Sequence, residues 1–327
     1  MALNIVKGED LQIEYLKILI YGDMDTGKTS TALTAKNPIL FDFDEGAHRS
    51  KQKIGKKIIR IGSWEQILSG NFDQDVKPHD TIVVDTIGTL IDCIKVYLIS
   101  KDWKLKNNNM RLYGQIKEEF TTFLNRIRAM KKDIIMIAHA TTEEKNGTVK
   151  TTVDIAGKAK DIVKQVADFV GYMYIENNKR VLNFSPTDYN DGKNSAGLPK
   201  YIMPDFAQEP HFFDTITTQM RNSINGNMEK QNKAIEAQLE QQKVVEEFKV
   251  KLADANTTQE MSGLITVMSS YEGTIKSQCW TMTKEKAEKL GFTFHKDTLT
   301  FTAPAPPPEP VAVAQSAPQE QSPFDFD

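Results

Sequence analysis

The chain has 327 residues, 39% of them hydrophobic and 26% charged, with a formal net charge of -3 and a pI near 6.0. That length buries one full α/β core and leaves roughly 100 residues for a smaller module. The near-neutral balance excludes a globally basic nucleic-acid coat, so any contact with DNA has to come from a local patch or loop.

The first residues, MALNIVKGEDLQIEY, lack the apolar run of a signal peptide. No apolar stretch approaches the roughly 18 residues needed to span a bilayer, and a soluble cytoplasmic protein without a membrane partner is expected. Cys93 and Cys279 lie far apart without metal-ligand spacing, and are expected as buried thiols in a reducing compartment.

From residue 16 to about 175, short apolar runs alternate with helical periodicity, the pattern of a mostly parallel sheet flanked by helices. Strands are predicted at 17–21, 39–43, 57–61, 81–84 and 134–138. Between the last two, Leu90, Ile91, Ile94 and Leu98 share one helical face, and Ile116, Phe120, Phe123, Leu124 and Ile127 share another. Segments 169–176 and 180–184 flank Asn177-Asn178-Lys179 as a hairpin, so the late sheet turns antiparallel.

Beyond about 218 the composition shifts to Gln, Glu, Lys and Asn. Ile235, Leu239, Val245, Phe248 and Leu252 mark a long amphipathic helix, Thr257 with Glu260 forms a capping box, and Gly291 closes a helix predicted over 283–290. The predicted organisation is a core over 1–215, a helical module over 226–300 and a tail over 303–327. The tail holds seven of the 13 prolines, four acidic residues and no Lys or Arg, a composition that cannot bury a core and is expected to be disordered.

The chemistry begins in "GDMDTGKT", which fits G-x-x-x-x-G-K-[ST] between an apolar strand and a helix predicted over 29–36. Gly22 and Gly27 allow the loop to turn its N–H groups toward phosphates, and Asp23, Met24, Asp25, Thr26 and Ser30 complete the cradle. Lys28 would reach the β and γ oxygens, while Thr29 would offer its hydroxyl to Mg²⁺. Asp85 ends the strand "TIVVD", where a carboxylate would hold the water shell of the metal, although it also stands where a helix N-cap would.

The strand "ILFDFDEG" ends in an acidic group of which Asp44 or Glu45 is the candidate base for activating water; solvation of a strand end is the alternative. Thr86 occupies the place after Asp85 where other phosphate-loop ATPases keep a Glu. His139 ends "IIMIAHA" at the next strand edge, placed to sense a γ-phosphate or simply to bond the sheet edge.

Together "GDMDTGKT", "LFDFDEGAHRS", "TIVVDTIGTL", "IIMIAHA" and "AGKAKDIVKQVADFVGYMY" resemble the RecA-like ATPase core. They look most like the phage single-strand annealing and recombination proteins of the Sak-four group. The resemblance covers roughly 13–205. It implies an α/β, RecA-like P-loop NTPase core that binds ATP and Mg²⁺ and acts on single-stranded DNA as a homo-oligomer, in a host cytoplasm.

In RecA the water-activating Glu corresponds here to Asp44, with Glu45 beside it. The K-x-R pair that related cores insert into the neighbouring subunit's site falls on Lys193 and Ser195. With Ser in the Arg position, hydrolysis is expected to be weak or DNA-stimulated.

The DNA-facing loops of the group correspond to 101–111, with Lys101, Trp103, Lys104, Lys106 and Arg111, and to 141–160, with Lys145, Lys150, Lys158 and Lys160. The terminal "SPFDFD" resembles the acidic, aromatic tip of bacterial single-strand-binding proteins. Phe324 and Phe326 would anchor it and Asp325 and Asp327 would meet a basic rim, on that protein or its partners. Two other readings remain open at this stage: a DNA-independent phosphate-loop regulator or scaffold, and a hexameric helicase or translocase.

Overall fold

The computed structural model describes residues 6–304 apart from position 146. The tail from 305 onward, including the expected tip at Phe324 and Phe326, lies outside the described residues. Two compact units divide the chain, Met1–Gln231 and Asn232–Asp327.

In chain order the first unit contains β1 (Lys17–Gly22), α1 (Lys28–Ala32), β2 (Pro38–Asp42), β3 (Lys57–Arg60), α2 (Trp64–Ser69), α3 (Phe72–Val76) and β4 (Thr81–Asp85). There follow α4 (Ile87–Lys101), α5 (Asn109–Ala129), β5 (Asp133–Lys145), β6 (Thr148–Val153) and α6 (Ala159–Val166). The unit continues with β7 (Phe169–Glu176), β8 (Lys179–Asn183), β9 (Lys193–Asn194), β10 (Tyr201–Ile202) and the start of α7 (Phe212–Asp254).

The sheet order is β10-β8-β7-β1-β5-β4-β2-β3, parallel from β7 through β3 and antiparallel at β8 and β10. Period-two alternation sends successive side chains to opposite faces. Leu19, Tyr21, Phe41, Val84, Met136 and Ala138 therefore join one buried cluster with α4 and α5, and Ile18, Ile20, Leu40, Val83, Ile135 and Ile137 join a second. Both faces are covered, which is why the strands read as continuous apolar runs.

β5 stands between β1 and β4, so the strand carrying His139 separates those carrying the phosphate loop and Asp85. Parallel pairing to β1 ends at Gly22↔His139, and the chain continues outward as a hairpin with β6, from Ala140↔Val153 to Lys145↔Thr148. The expected strand end at His139 is thus the point where β5 leaves the sheet. The expected loop over 141–160 is a two-stranded arm followed by the start of α6, because Thr141, Thr142, Val149, Thr151, Thr152 and Val153 favour extended pairing.

Three further boundaries differ from the sequence reading. α1 ends at Ala32 rather than near 36, as Thr34 and Ala35 close tighter turns onto Thr31 and Ala32 before Asn37-Pro38. α7 begins at Phe212 and buries Phe213, Ile216 and Met220 within the core unit, whereas the long helix was expected only after about 218. The helix predicted over 283–290 begins at Gly273.

The second unit holds the later turns of α7, then α8 (Thr258–Ser269), α9 (Gly273–Leu290) and an unexpected hairpin of β11 (Thr293–His295) with β12 (Thr300–Thr302). Phe248, Leu252, Met261, Leu264, Cys279 and Phe301 form its own core. Thr257 and Glu260 exchange the two bonds of the predicted capping box, and Gly291 ends α9 at φ 73°. Among the described residues, no helix is long and apolar enough to cross a membrane.

Candidate functional site

The parallel strands β1, β2, β4 and β5 present their carboxyl ends on one edge of the sheet, and the loops leaving that edge enclose a cleft of about 1270 Å³. Met24, Asp25, Gly27, Lys28, Thr29 and Ser30 line it from the phosphate loop. Gly22, Asp23 and Thr26 shape the loop from behind: the Thr26 hydroxyl donates to the Asp23 carbonyl at 2.8 Å, and a Cβ on Gly22 would stand 2.0 Å from the Met173 carbonyl oxygen. Gly22 is thus required by the close approach of β7. Gly27, at φ 96°, supplies the left-handed turn that opens α1.

Lys28 is buried, and its ammonium donates to the carbonyls of Gly22 at 2.9 Å and Asp23 at 2.6 Å, folding back over the loop it follows. Burial pulls this lysine below its ordinary range, against the pull of Asp85 and neighbouring carboxylates.

Thr29 donates its hydroxyl to Asp85 Oδ2 at 2.6 Å. Burial raises Asp85 to about 7; the Thr29 bond opposes this, while Asp44 and Asp42 reinforce it. The helix-cap alternative is settled by the next residue: Thr86 is the N-cap of α4 and accepts from Thr89 N–H.

Asp42 is fully buried and accepts from the N–H groups of Gly46 at 3.0 Å and Ala47 at 3.1 Å, which closes the turn after β2. That turn aims Asp44 into the cleft and leaves Glu45 exposed, at φ 55° and outside the cleft lining. Asp44 Oδ1 is buried with no hydrogen-bond partner among the described residues, and its Oδ2 lies 3.9 Å from His139 Nε2. Burial and the Lys28 cation hold His139 below its usual range, so the ring is neutral at pH 7 and this contact is no ion pair. Its Nδ1 is likewise buried without a partner among the described residues.

The donor set suits a magnesium ion. A hydroxyl and a carboxylate meet at 2.6 Å, and an orphaned carboxylate oxygen lies in the same cleft. No group of three or more His, Cys, Asp or Glu among the described residues could cage a metal alone. Magnesium characteristically takes one or two protein ligands and completes its shell with phosphate oxygens and water.

Lys193 lies elsewhere. It pairs with Val170 at the amino-terminal end of β7, the edge of the sheet opposite the phosphate loop, and its ammonium donates to the Ala167 carbonyl. β8 brings other cations to the cleft instead: Lys179 and Arg180 line one wall, Arg49 and Lys51 another, with Met203, Pro204 and Phe206 nearby. The sequence reading missed all of these. The signal was present in "NNKR", where two Asn residues take φ 50° and 60° to turn the hairpin and the next two side chains are cations.

Of the expected DNA residues, Lys101 ends α4 with its ammonium 5.2 Å from the Tyr97 ring, and Trp103, 70% exposed, opens a short 3₁₀ turn with Lys104 and Lys106. Buried Leu105 anchors this turn, and Arg111 pairs with Asp102 at 3.6 Å. On the arm, Lys150 pairs with Asp191 and, behind it, Lys160 pairs with Glu143.

A family model described as an AAA domain matches residues 14–196. The SPbeta prophage-derived uncharacterized protein YorG of Bacillus subtilis (strain 168) is 25% identical over 231 residues, 65% of this chain. The chain spans 64% of the length of that relative. Among solved structures, the KaiC-like protein PH0186 of Pyrococcus horikoshii OT3 matches at 14% identity and TM-score 0.33, covering 59% of this chain and 87% of that one. The flagellar accessory protein FlaH of Methanocaldococcus jannaschii matches at 14% identity and TM-score 0.28, covering 51% and 76% respectively.

Proposed function

The chain belongs to the AAA domain family of phosphate-loop ATPases, and from that premise we propose that it is an ATP-dependent single-stranded-DNA-binding protein of the phage recombination type resembling the Sak-four group. In this reading it binds Mg·ATP at Lys28, Thr29 and Asp85, works as a homo-oligomer, and promotes strand annealing.

In the proposed mechanism, Lys28 turns from the loop carbonyls to the phosphate oxygens, exchanging two neutral acceptors for charged ones. Thr29 and Asp85 would hold Mg²⁺, whose positive charge would offset that of the phosphates. Asp44 accepts the proton of the attacking water through its unpartnered Oδ1, while neutral His139 beside it bonds the γ-phosphate or that water and reports its presence along β5 to the arm. Glu45 faces solvent and takes no part.

The observation that carries the DNA half is Trp103: a large ring, 70% exposed, held on a Leu105-anchored turn among Lys101, Lys104 and Lys106. A ring stacks on any base and lysines meet phosphates, which gives sequence-independent binding to single strands. The test is a titration of fluorescent oligo-dT with the full chain, with ATP or ADP present. Affinity greater with ATP, falling about tenfold in Trp103→Ala, supports the reading. Equal, salt-insensitive and negligible binding by both proteins overturns it in favour of a DNA-independent regulator.

A further inference from the structure

We infer that Arg180 is the arginine that engages the phosphates of the nucleotide held by its own subunit, a role the K-x-R pattern would assign to a neighbour's Lys193. The inference rests on the nucleotide reading above and adds to it a residue and a direction of action.

Three observations carry it. First, the backbone of Arg180 is pinned on both sides: it pairs with Ile175 in the β7–β8 hairpin, and its carbonyl accepts from Met203 N–H at 2.8 Å. Second, its side chain lies across the phosphate loop. A Cβ on Gly27 would stand 3.5 Å from Arg180 Cδ, 3.7 Å from Nη1 and 3.8 Å from Nε, all ordinary van der Waals separations.

Third, the guanidinium has no carboxylate within ion-pair distance among the described residues; Lys179, Arg49 and Lys51 on the cleft are likewise unpaired, and Arg180 is the one whose side chain lies over Gly27. A cation held over an anion-binding loop and left without a counter-charge lacks only the ligand's charge to complete it.

The loop and Arg180 belong to one chain, so the contact needs no second subunit. The guanidinium's planar fork can meet two phosphate oxygens at once, which an ammonium cannot. A triphosphate offers the fork more negative charge and more oxygens than a diphosphate, so the contact favours the triphosphate.

The test measures Mg·ATP and Mg·ADP affinity of the full chain by competition with a fluorescent ADP, for wild type, Arg180→Ala, Arg180→Lys and Lys28→Ala. Arg180→Ala should weaken ATP binding at least about tenfold, and ADP binding less, with Arg180→Lys in between. Wild-type ATP affinity in Arg180→Ala, while Lys28→Ala loses nucleotide, overturns the role of Arg180 and leaves the nucleotide site standing. No nucleotide binding by the wild type overturns both.

Direction is read by mixing. Lys28→Ala subunits keep Arg180 but hold no nucleotide, so added to Arg180→Ala subunits they restore ATP affinity only if the arginine acts across an interface. No restoration is expected; restoration overturns action in cis.

Discussion

Thr29 and Asp85 meet at 2.6 Å, so the phosphate loop is tied to the end of β4. The tie crosses the sheet over β5, and it joins the two side chains whose chemistry suits a divalent cation.

The pH dependence follows from the direction of the Asp85 shift. Burial raises its carboxyl to about 7, above the roughly 4 of an unfolded chain. Its contribution to stability is therefore present below about pH 4 and lost progressively as pH rises to about 7. Urea unfolding of the ligand-free chain should show this decline, and Asp85→Asn should remove Asp85's share of it. Metal binding requires the charged form, so Mg·ATP affinity should rise with pH up to about 7 and release a proton, detectable by calorimetry in buffers of different ionisation enthalpy.

The two loop glycines should respond differently to alanine. Gly22→Ala places a methyl 2.0 Å from a backbone oxygen of β7, and neither strand can move away without disrupting the sheet centre. A loss of more than about 3 kcal/mol is expected. Gly27→Ala meets only the flexible Arg180 side chain and pays for a left-handed φ, about 1–2 kcal/mol. Chemical denaturation of both variants orders them.

Asp44 and Glu45 are adjacent in sequence and opposite in placement. Asp44→Asn should retain Mg·ATP binding and lower turnover by about 10²-fold or more, while Glu45→Gln should stay within about twofold of wild type, since an exposed residue outside the cleft has little to lose. Single-turnover hydrolysis distinguishes the two.

One carboxylate gathers several of the bonds that fasten the arm. Asp191 accepts from Thr152 at 2.6 Å and Lys164 at 2.7 Å and pairs with Lys150 at 3.1 Å, and its carbonyl accepts from Tyr21, the residue before the phosphate loop. Burial disfavours the charge, but these bonds outweigh it and hold Asp191 at about 2. Asp191→Ala should loosen the arm, seen as faster amide exchange across β6 with the core strands unchanged. Equal protection in the variant would show that β5 pairing, the backbone bonds of Thr151 and the Lys160–Glu143 pair hold the arm without the Asp191 carboxylate.

Much of this was legible because the local patterns agree with the fold. The apolar runs at β1, β2, β4 and β5 marked strands covered on both faces, and the loop motif with Asp85 located the cleft. Residues assembled by topology were harder to read. Arg180 reaches the loop only because β7 returns beside β1, and nothing in its own neighbourhood names the loop as its target. Lys193 lies far from its own cleft because the register of β9 sets it against Val170 at the other edge of the sheet, a position from which it can serve only a neighbouring subunit's site. The arm reads as a loop because its Thr and Lys residues carry no apolar alternation, and the start of α7 reads late because its first turns are too mixed to separate from the preceding loop.

The central claim couples nucleotide to DNA, and steady-state ATP hydrolysis with and without single-stranded DNA tests it most directly, with Lys28→Ala as the control for contaminating activity. The account predicts a slow basal rate that single strands stimulate and that Lys28→Ala abolishes in both conditions. A Lys28-dependent rate that single-stranded DNA leaves unchanged would contradict it.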